Sequence, residues 1–214
     1  YDPDFMYAVS DERFELVEGE LRLVDGVSLD FEALATLDVT VTATGPDGLV
    51  SEETISIEVI DINEAPFDLA LDGAVVAENA PGAVIGTLSS VDPDSGDFVT
   101  YTVSDDRFVV VDGELRLADG VSLDHEAAAS IDVAVTATDS EGLSTTETFS
   151  IDVSDVNEGP TDLSLDGSAV AENDAGATVG TLSSFDPDDG DTVTYTVSDE
   201  RFEVVDGELR LAEG

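Results

Sequence analysis

All four asparagines of this chain stand in acidic motifs that recur at a fixed interval: Asp61-Ile62-Asn63-Glu64 with Asp155-Val156-Asn157-Glu158, and Ala77-Glu78-Asn79 with Ala171-Glu172-Asn173. Asp61 and Asp155 are 94 residues apart, as are Glu78 and Glu172. Carboxylates and carboxamides are hard oxygen donors. Repeated at the ends of identical modules, they form the donor set that a hard cation such as calcium requires at each module junction.

Other chemistries find little to work with. The chain has no cysteine, which removes disulfides, thiolate metal sites and cysteine nucleophiles. His125 is the only histidine, and Phe31 holds its place in the preceding copy, so it reads as structural or exposed. It supports no Ser-His-Asp arrangement, and no glycine-rich phosphate loop or His/Cys zinc spacing occurs, so the chain is not read as an enzyme. Asp92-Pro93-Asp94-Ser95-Gly96-Asp97 opens like a helix-loop-helix calcium loop, but the twelfth position is Val103 and no helices flank it.

A formal charge of −45 argues against nucleic acid or an anionic membrane as partner, since both need clustered cations. The six basic residues are all arginine and are dispersed. Arg107 and Arg116, repeated in each copy, are expected to tether neighbouring acids. Hydrophobic residues at 42% are enough for packed cores. No apolar run approaches the ~20 residues that span a bilayer. Lacking an initial methionine or leader, the chain is expected to be an excerpt of a longer polypeptide.

The elements that must position the acids are strands. Residues 67–120 and 161–214 align without a gap and are identical at 40 of 54 positions. Residues 1–66 are then a partial first copy, whose Tyr1 matches Val91, residues 67–160 a complete copy, and residues 161–214 a partial third copy ending at Gly214. The first copy is four residues shorter after Asp4, where the second has Ser95-Gly96-Asp97. Ile131, Val133, Val135 and Ala137 alternate with Asp132, Ala134, Thr136 and Thr138, the period of a half-buried strand. Phe149, Ile151 and Val153 repeat it. Phe108-Val109-Val110 and Glu114-Leu115-Arg116-Leu117 flank a Val111-Asp112-Gly113 turn as a hairpin. Val109 is glutamate in both other copies, so it faces solvent while Phe108 and Val110 face the core. The pattern predicts an all-β chain of tandem seven-stranded Greek-key sandwiches, Ig-like in outline. Tyr7, Tyr101 and Tyr195 share a strand position and read as packing residues.

In the complete copy, Ala77-Glu78-Asn79, Asp92-Pro93-Asp94, Leu123-Asp124-His125-Glu126, Ala137-Thr138-Asp139 and Asp155-Val156-Asn157-Glu158-Gly159-Pro160 follow one another in an order that resembles the extracellular cadherin repeat. The resemblance covers the whole chain. It implies calcium ions at the inter-domain junctions. One junction would use Asp30 and Glu32, then Asp61, Asn63 and Glu64, then Asp92, Asp94 and Asp139. The next would use Glu78, Asp124 and Glu126, then Asp155, Asn157 and Glu158, then Asp186 and Asp188. Backbone carbonyls of Ile62 and Ala65, or of Val156 and Gly159, would complete the shells. Each junction then offers seven carboxylates, and about three calcium ions would nearly neutralise them.

Two departures bear on this. The fourth linker acid is Glu64 or Glu158 where the family usually has aspartate, and Gly45 stands at the position of Asp139. Calcium modules outside cells commonly have dissociation constants of about 10⁻⁴–10⁻³ M, which places the chain in an extracellular or cell-surface setting. The resemblance extends to the repeat arrays of bacterial surface adhesins and implies a calcium-rigidified extender that supports cell adhesion or biofilm contact. The partners are adjacent repeats of the same chain. Calcium-dependent polysaccharide binding is one alternative, and a self-assembling filament or surface-layer subunit completed by like chains is another. The lysine-free acidic surface fits a marine or halophilic setting, where about 1 M salt shortens the Debye length to about 3 Å.

Overall fold

The computed structural model describes residues 4–172 and 174–212; Tyr1, Asn173 and Gly214, used in the alignment above, lie outside them. Among the described residues there are seventeen strands and no helix. They are β1 (Met6–Val9), β2 (Phe14–Val17), β3 (Glu20–Leu23), β4 (Thr36–Thr44), β5 (Val50–Glu58), β6 (Phe67–Asp72), β7 (Val75–Ala77), β8 (Val84–Val91) and β9 (Thr100–Val103). The remainder are β10 (Phe108–Val111), β11 (Glu114–Leu117), β12 (Ser130–Thr138), β13 (Ser144–Ser154), β14 (Thr161–Leu165), β15 (Thr178–Phe185), β16 (Phe202–Val205) and β17 (Glu208–Leu211). The middle copy forms two four-stranded sheets, in the orders β10-β11-β8-β6 and β7-β13-β12-β9. The chain crosses between these sheets after β6, β7, β8, β9 and β11, the crossing pattern of a Greek-key sandwich.

Gly73 explains why eight segments serve as seven strands. It lies at φ +110°, and a Cβ there would come within 2.6 Å of the Ile85 carbonyl oxygen. The first strand therefore breaks: β6 stays with β8, while β7 moves over to pair in parallel with β13, Val75 opposite Asp152 and Ala77 opposite Ser154. This break brings Glu78, directly after β7, beside the linker that follows β13.

The chain forms two compact units. The first comprises Tyr1–Ala70, Ser89–Thr102 and Thr136–Glu147, the second Leu71–Leu88, Val103–Val135 and Thr148–Gly214. In the first, β1, β4 and β5 form an antiparallel sheet and β2 pairs with β3. Its core is Phe14, Leu37 and Val39, with Val9, Leu21, Leu23, Leu29, Ile57 and Val59 packed against them.

In the second unit, Val76, Phe108, Leu115, Leu117, Leu123, Val133, Val135, Ile151 and Val153 are buried. Val109 is exposed, as the comparison of copies predicts. The hairpin turn is tighter than predicted. Val111 pairs with Glu114 inside the ladder, leaving Asp112 (φ +53°) and Gly113 (φ +80°) as a two-residue loop of the twist-matching kind. In the third copy β14, β15, β17 and β16 pair in that order. Thr194–Val197, the counterpart of β9, is not a strand there, because no partner strand lies beside it to complete a ladder.

The arginines act as tethers. Arg13, Arg107 and Arg201 each grip the aspartate two residues earlier, with Nη2 to Oδ2 distances of 2.7, 2.6 and 2.6 Å. Arg116 and Arg210 pair with Glu114 and Glu208. The hydroxyls of Tyr101 and Tyr195 meet Ser90 Oγ at 3.0 Å and Ser184 Oγ at 2.9 Å.

Candidate metal centres

Within the first unit the linker 61–64 lies among acids from both sides in sequence. Carboxylate oxygens of Glu32, Asp61 and Asp94 lie within 4.8 Å of one another. Glu64 donates its backbone N–H to Asp94 Oδ2 at 2.8 Å. Its own carboxyl is pushed above the usual range, first by loss of solvation and then by the charges of Glu32, Asp94, Asp61 and Asp30. Asp30 also caps the following turn, accepting the Ala33 N–H at 3.0 Å. Asn63 Nδ2 donates to Asp139 Oδ2 at 2.9 Å, and Asp139 in turn groups with Asp92 and Asp97. All eight acids and amides named for this junction thus converge on one region.

Asp139 is only 5% exposed. Its Oδ1 accepts the N–H groups of Glu141, Gly142 and Leu143 at 2.9, 2.6 and 2.9 Å. Burial pushes its carboxyl up, but the Asn63 amide and these three backbone donors outweigh burial and hold it below the usual carboxylate range.

The second unit builds a similar region around Glu78, which is 2% exposed. Glu78 Oε1 accepts the Val156 N–H and Oε2 the His125 N–H, each at 2.8 Å, so one buried carboxylate ties the linker to the loop after Leu123. Oxygens of Glu78, Glu126 and Glu158 lie within 4.8 Å of one another, as do ligand atoms of His125, Glu126 and Asp155. Glu158 N–H donates to Asp188 Oδ2 at 2.8 Å, repeating the Glu64–Asp94 contact 94 residues later. Asp124 caps its turn through Ala127 N–H at 2.9 Å, and Asp186 groups with Asp188.

Charge crowding shows in the carboxyls. Asp155 is raised by burial and by the adjacent Asp188 carboxyl. Glu158 is raised by burial and by Glu78, Asp188 and Glu126, although the Asn79 amide opposes this. In Glu126 the residue's own backbone N–H lowers the value, but desolvation and the charges of Glu78, Asp155 and Asp124 carry the balance upward.

Asn157 Nδ2 donates to the Glu158 carbonyl at 2.9 Å, whereas Asn63 Nδ2 donates to the Asp139 carboxylate. Three contacts were not legible in sequence. Asn79 Nδ2 donates to Glu158 Oε1, His125 Nδ1 meets the Val153 carbonyl at 2.6 Å, and Asp97 and Asp191 join the acid groups. The recurrence of Gly-Asp at 96–97 and 190–191 was the available signal for the last.

These donors fit a hard divalent cation. Asp92 Oδ2, Asp97 Oδ2, Glu158 Oε2 and Asp188 Oδ1 are all shielded from solvent and have no hydrogen-bond partner. An anionic oxygen in that state is costly unless something positive meets it. A bound calcium would supply that charge, held by carboxylate, carboxamide and carbonyl oxygens, while the side chains themselves orient through the backbone N–H groups described above.

A broken first strand, Greek-key sheets and acids gathered at each linker define a cadherin-like repeat fold, and comparison with solved structures agrees. Protocadherin Gamma B2 extracellular cadherin domains 3-6 superpose with a TM-score of 0.65 at 23% identity, over 99% of this chain and 58% of that one. Human CDH23 EC21-23 gives a TM-score of 0.64 at 18% identity, over 99% and 80%. In sequence, protocadherin gamma-A4 from Pan troglodytes is 43% identical over 94 residues, 41% of this chain and 10% of that protein. The human protein of the same name is 42% identical over the same shares. The chain thus spans about a tenth of the curated relatives it matches. No family model matches it.

Proposed function

We propose that this chain is an extender segment of a cell-surface or secreted adhesin, in which calcium at each linker stiffens a row of cadherin-like repeats. The observation that carries the reading is the set of solvent-shielded carboxylate oxygens without partners beside both linkers. The repeats would run 1–66, 67–160 and 161–214. Asp30, Glu32, Asp61, Asn63, Glu64, Asp92, Asp94 and Asp139 would hold the ions of one joint. Glu78, Asp124, Glu126, Asp155, Asn157, Glu158, Asp186 and Asp188 would hold those of the next.

Without metal, like charges across a short linker repel and the joint loosens. With metal, the acids of two repeats share the same ions and the joint stiffens. The segment's work is then mechanical: it carries a distal binding region away from the surface and supports adhesion or biofilm contact. Its setting is extracellular, as for the cadherin domains it resembles. The near identity of its copies and its acidic, lysine-free surface favour an array of the bacterial adhesin kind working in saline surroundings.

Small-angle scattering of the chain in millimolar calcium and in chelator tests the reading. A maximum dimension that shortens and a distance distribution that broadens in chelator are the expected results. Identical profiles in the two conditions would overturn it.

A further inference from the structure

The carboxylates of Asp97 and Asp191 lie outside the ligand set that the cadherin resemblance implies, yet both sit in acid groups. Oxygens of Asp92, Asp97 and Asp139 lie within 4.8 Å of one another, and so do those of Asp186, Asp188 and Asp191. Asp188 is 9% exposed, and while its Oδ2 accepts the Glu158 N–H, its Oδ1 is shielded from water and has no partner. Asp92 Oδ2 and Asp97 Oδ2 are shielded and unpartnered in the same way. The first group thus holds two shielded, unpartnered carboxylate oxygens and the second holds one, Asp188 Oδ1, beside the exposed Asp191. Such oxygens are costly to desolvate, and a divalent cation among them would offset that cost.

The loop is built to bring this third acid back. Asp94 N–H donates to Asp92 Oδ1 at 3.1 Å and Asp97 N–H to the Asp94 carbonyl at 3.2 Å, while Gly96 at φ +105° turns the chain in a way other residues resist. Gly190 repeats the turn at φ +95°. Asp97 then lines one polar groove with the linker residues Asp61 and Asn63 and with Asp94, Ser95 and Glu141.

The first copy supplies a natural contrast. It lacks the Ser-Gly-Asp insert after Asp4, and it has Gly45 where the second copy has Asp139. These two changes are about 40 residues apart in sequence, yet both delete acids of the same group. A Cβ on Gly45 would lie 2.8 Å from Asp47 Oδ1 and 3.3 Å from the Phe5 ring, so the place where the acid would begin is already crowded by its neighbours.

We infer that Asp97 and Asp191 are additional carboxylate ligands of the junction calcium, Asp97 acting with Asp92 and Asp139 and Asp191 with Asp186 and Asp188, and that a copy without the insert lacks this ligand. The inference rests on the calcium reading and adds a ligand to it. An extra carboxylate raises the charge at this position, so it binds calcium more tightly than two acids alone would.

Calcium titration calorimetry on the whole chain, its Asp97→Asn, Asp191→Asn and doubly substituted variants, and an Asp106→Asn control at an exposed acid tests it. Asn keeps the shape of the side chain, and Asp97 Oδ2 has no hydrogen-bond partner to lose, so folding is not expected to be at issue. Each site variant should weaken one class of calcium sites by about tenfold or more and leave the rest within about twofold, while the control binds like the unaltered chain. Unaltered binding in the site variants, with the parent chain still taking up calcium, would overturn this inference and leave the calcium reading standing. An equal loss in the control would also overturn it, as a general charge effect. A parent chain that binds no calcium would overturn both.

Discussion

Glu78 shows how much of the joint depends on a single side chain. Both its oxygens accept backbone N–H groups, one from the linker and one from the loop carrying Asp124 and Glu126. In Glu78→Gln one of those oxygens becomes an amide nitrogen, and a buried backbone donor is left facing another donor. The expected loss is about 1–3 kcal/mol of stability in chelator, measured by urea unfolding, and a larger loss in calcium. The pH response at this scale follows from two opposed sets of carboxyls. Glu64, Glu126, Asp155 and Glu158 are raised in the folded chain, so their contribution is fully present below the ordinary carboxylate range and is lost as pH rises through their raised values. Asp11 and Asp199, held down to about 2 first by the side chains of Arg13 and Arg201, contribute above that range and fail only as pH falls through their depressed values. The calcium-free chain is therefore expected to melt at a higher temperature near pH 5 than at pH 7, with calcium's stabilisation smaller at the lower pH because protons compete for the same oxygens. A calcium-free melting temperature that falls steadily from pH 7 to pH 5 would contradict this.

At the scale of elements, the period of two along residues 131–137 and the comparison of Val109 with its glutamate counterparts made the strands and their buried faces legible. Val133, Val135 and Ala137 are fully buried as that pattern requires. The break at Gly73 was not legible, because it depends on close approach of backbones from β6 and β8 rather than on side-chain alternation. A Cβ at Gly86 would fall on the Asp72 carbonyl oxygen, so the two glycines form one contact that only the folded strands reveal. Gly86→Ala is expected to cost about 1–3 kcal/mol, seen as a lowered urea midpoint, although the added methyl is apolar and lies on a strand. The motifs for the sixteen predicted ligands were legible as repeated acids. Their convergence was legible only through the family likeness, and Asp97 and Asp191 escaped because they lie outside the motifs that carry that likeness.

The whole molecule carries −45, far more acid than the junctions can use. Such a surface repels itself, and salt mutes the repulsion over distances beyond the Debye length. In chelator, raising sodium chloride from about 0.1 M to about 1 M should therefore raise the melting temperature, and the gain should be smaller once calcium is present, since the most crowded acids are then already neutralised. A melting temperature indifferent to sodium chloride in chelator would mean that self-repulsion does not govern the calcium-free state. Calcium at about 100 times its dissociation constant adds about 2.7 kcal/mol per independent site, an increment comparable with a sizeable part of a small domain's stability.

The account turns on metal at the linkers, and a crystal structure grown in ample calcium, with anomalous scattering used to identify the ions, tests it most directly. Calcium peaks are predicted among Glu32, Asp61 and Asp94, and again among Glu78, Glu126, Asp155 and Asp188. Ordered water alone at those places, in a map good enough to tell the two apart, would contradict it.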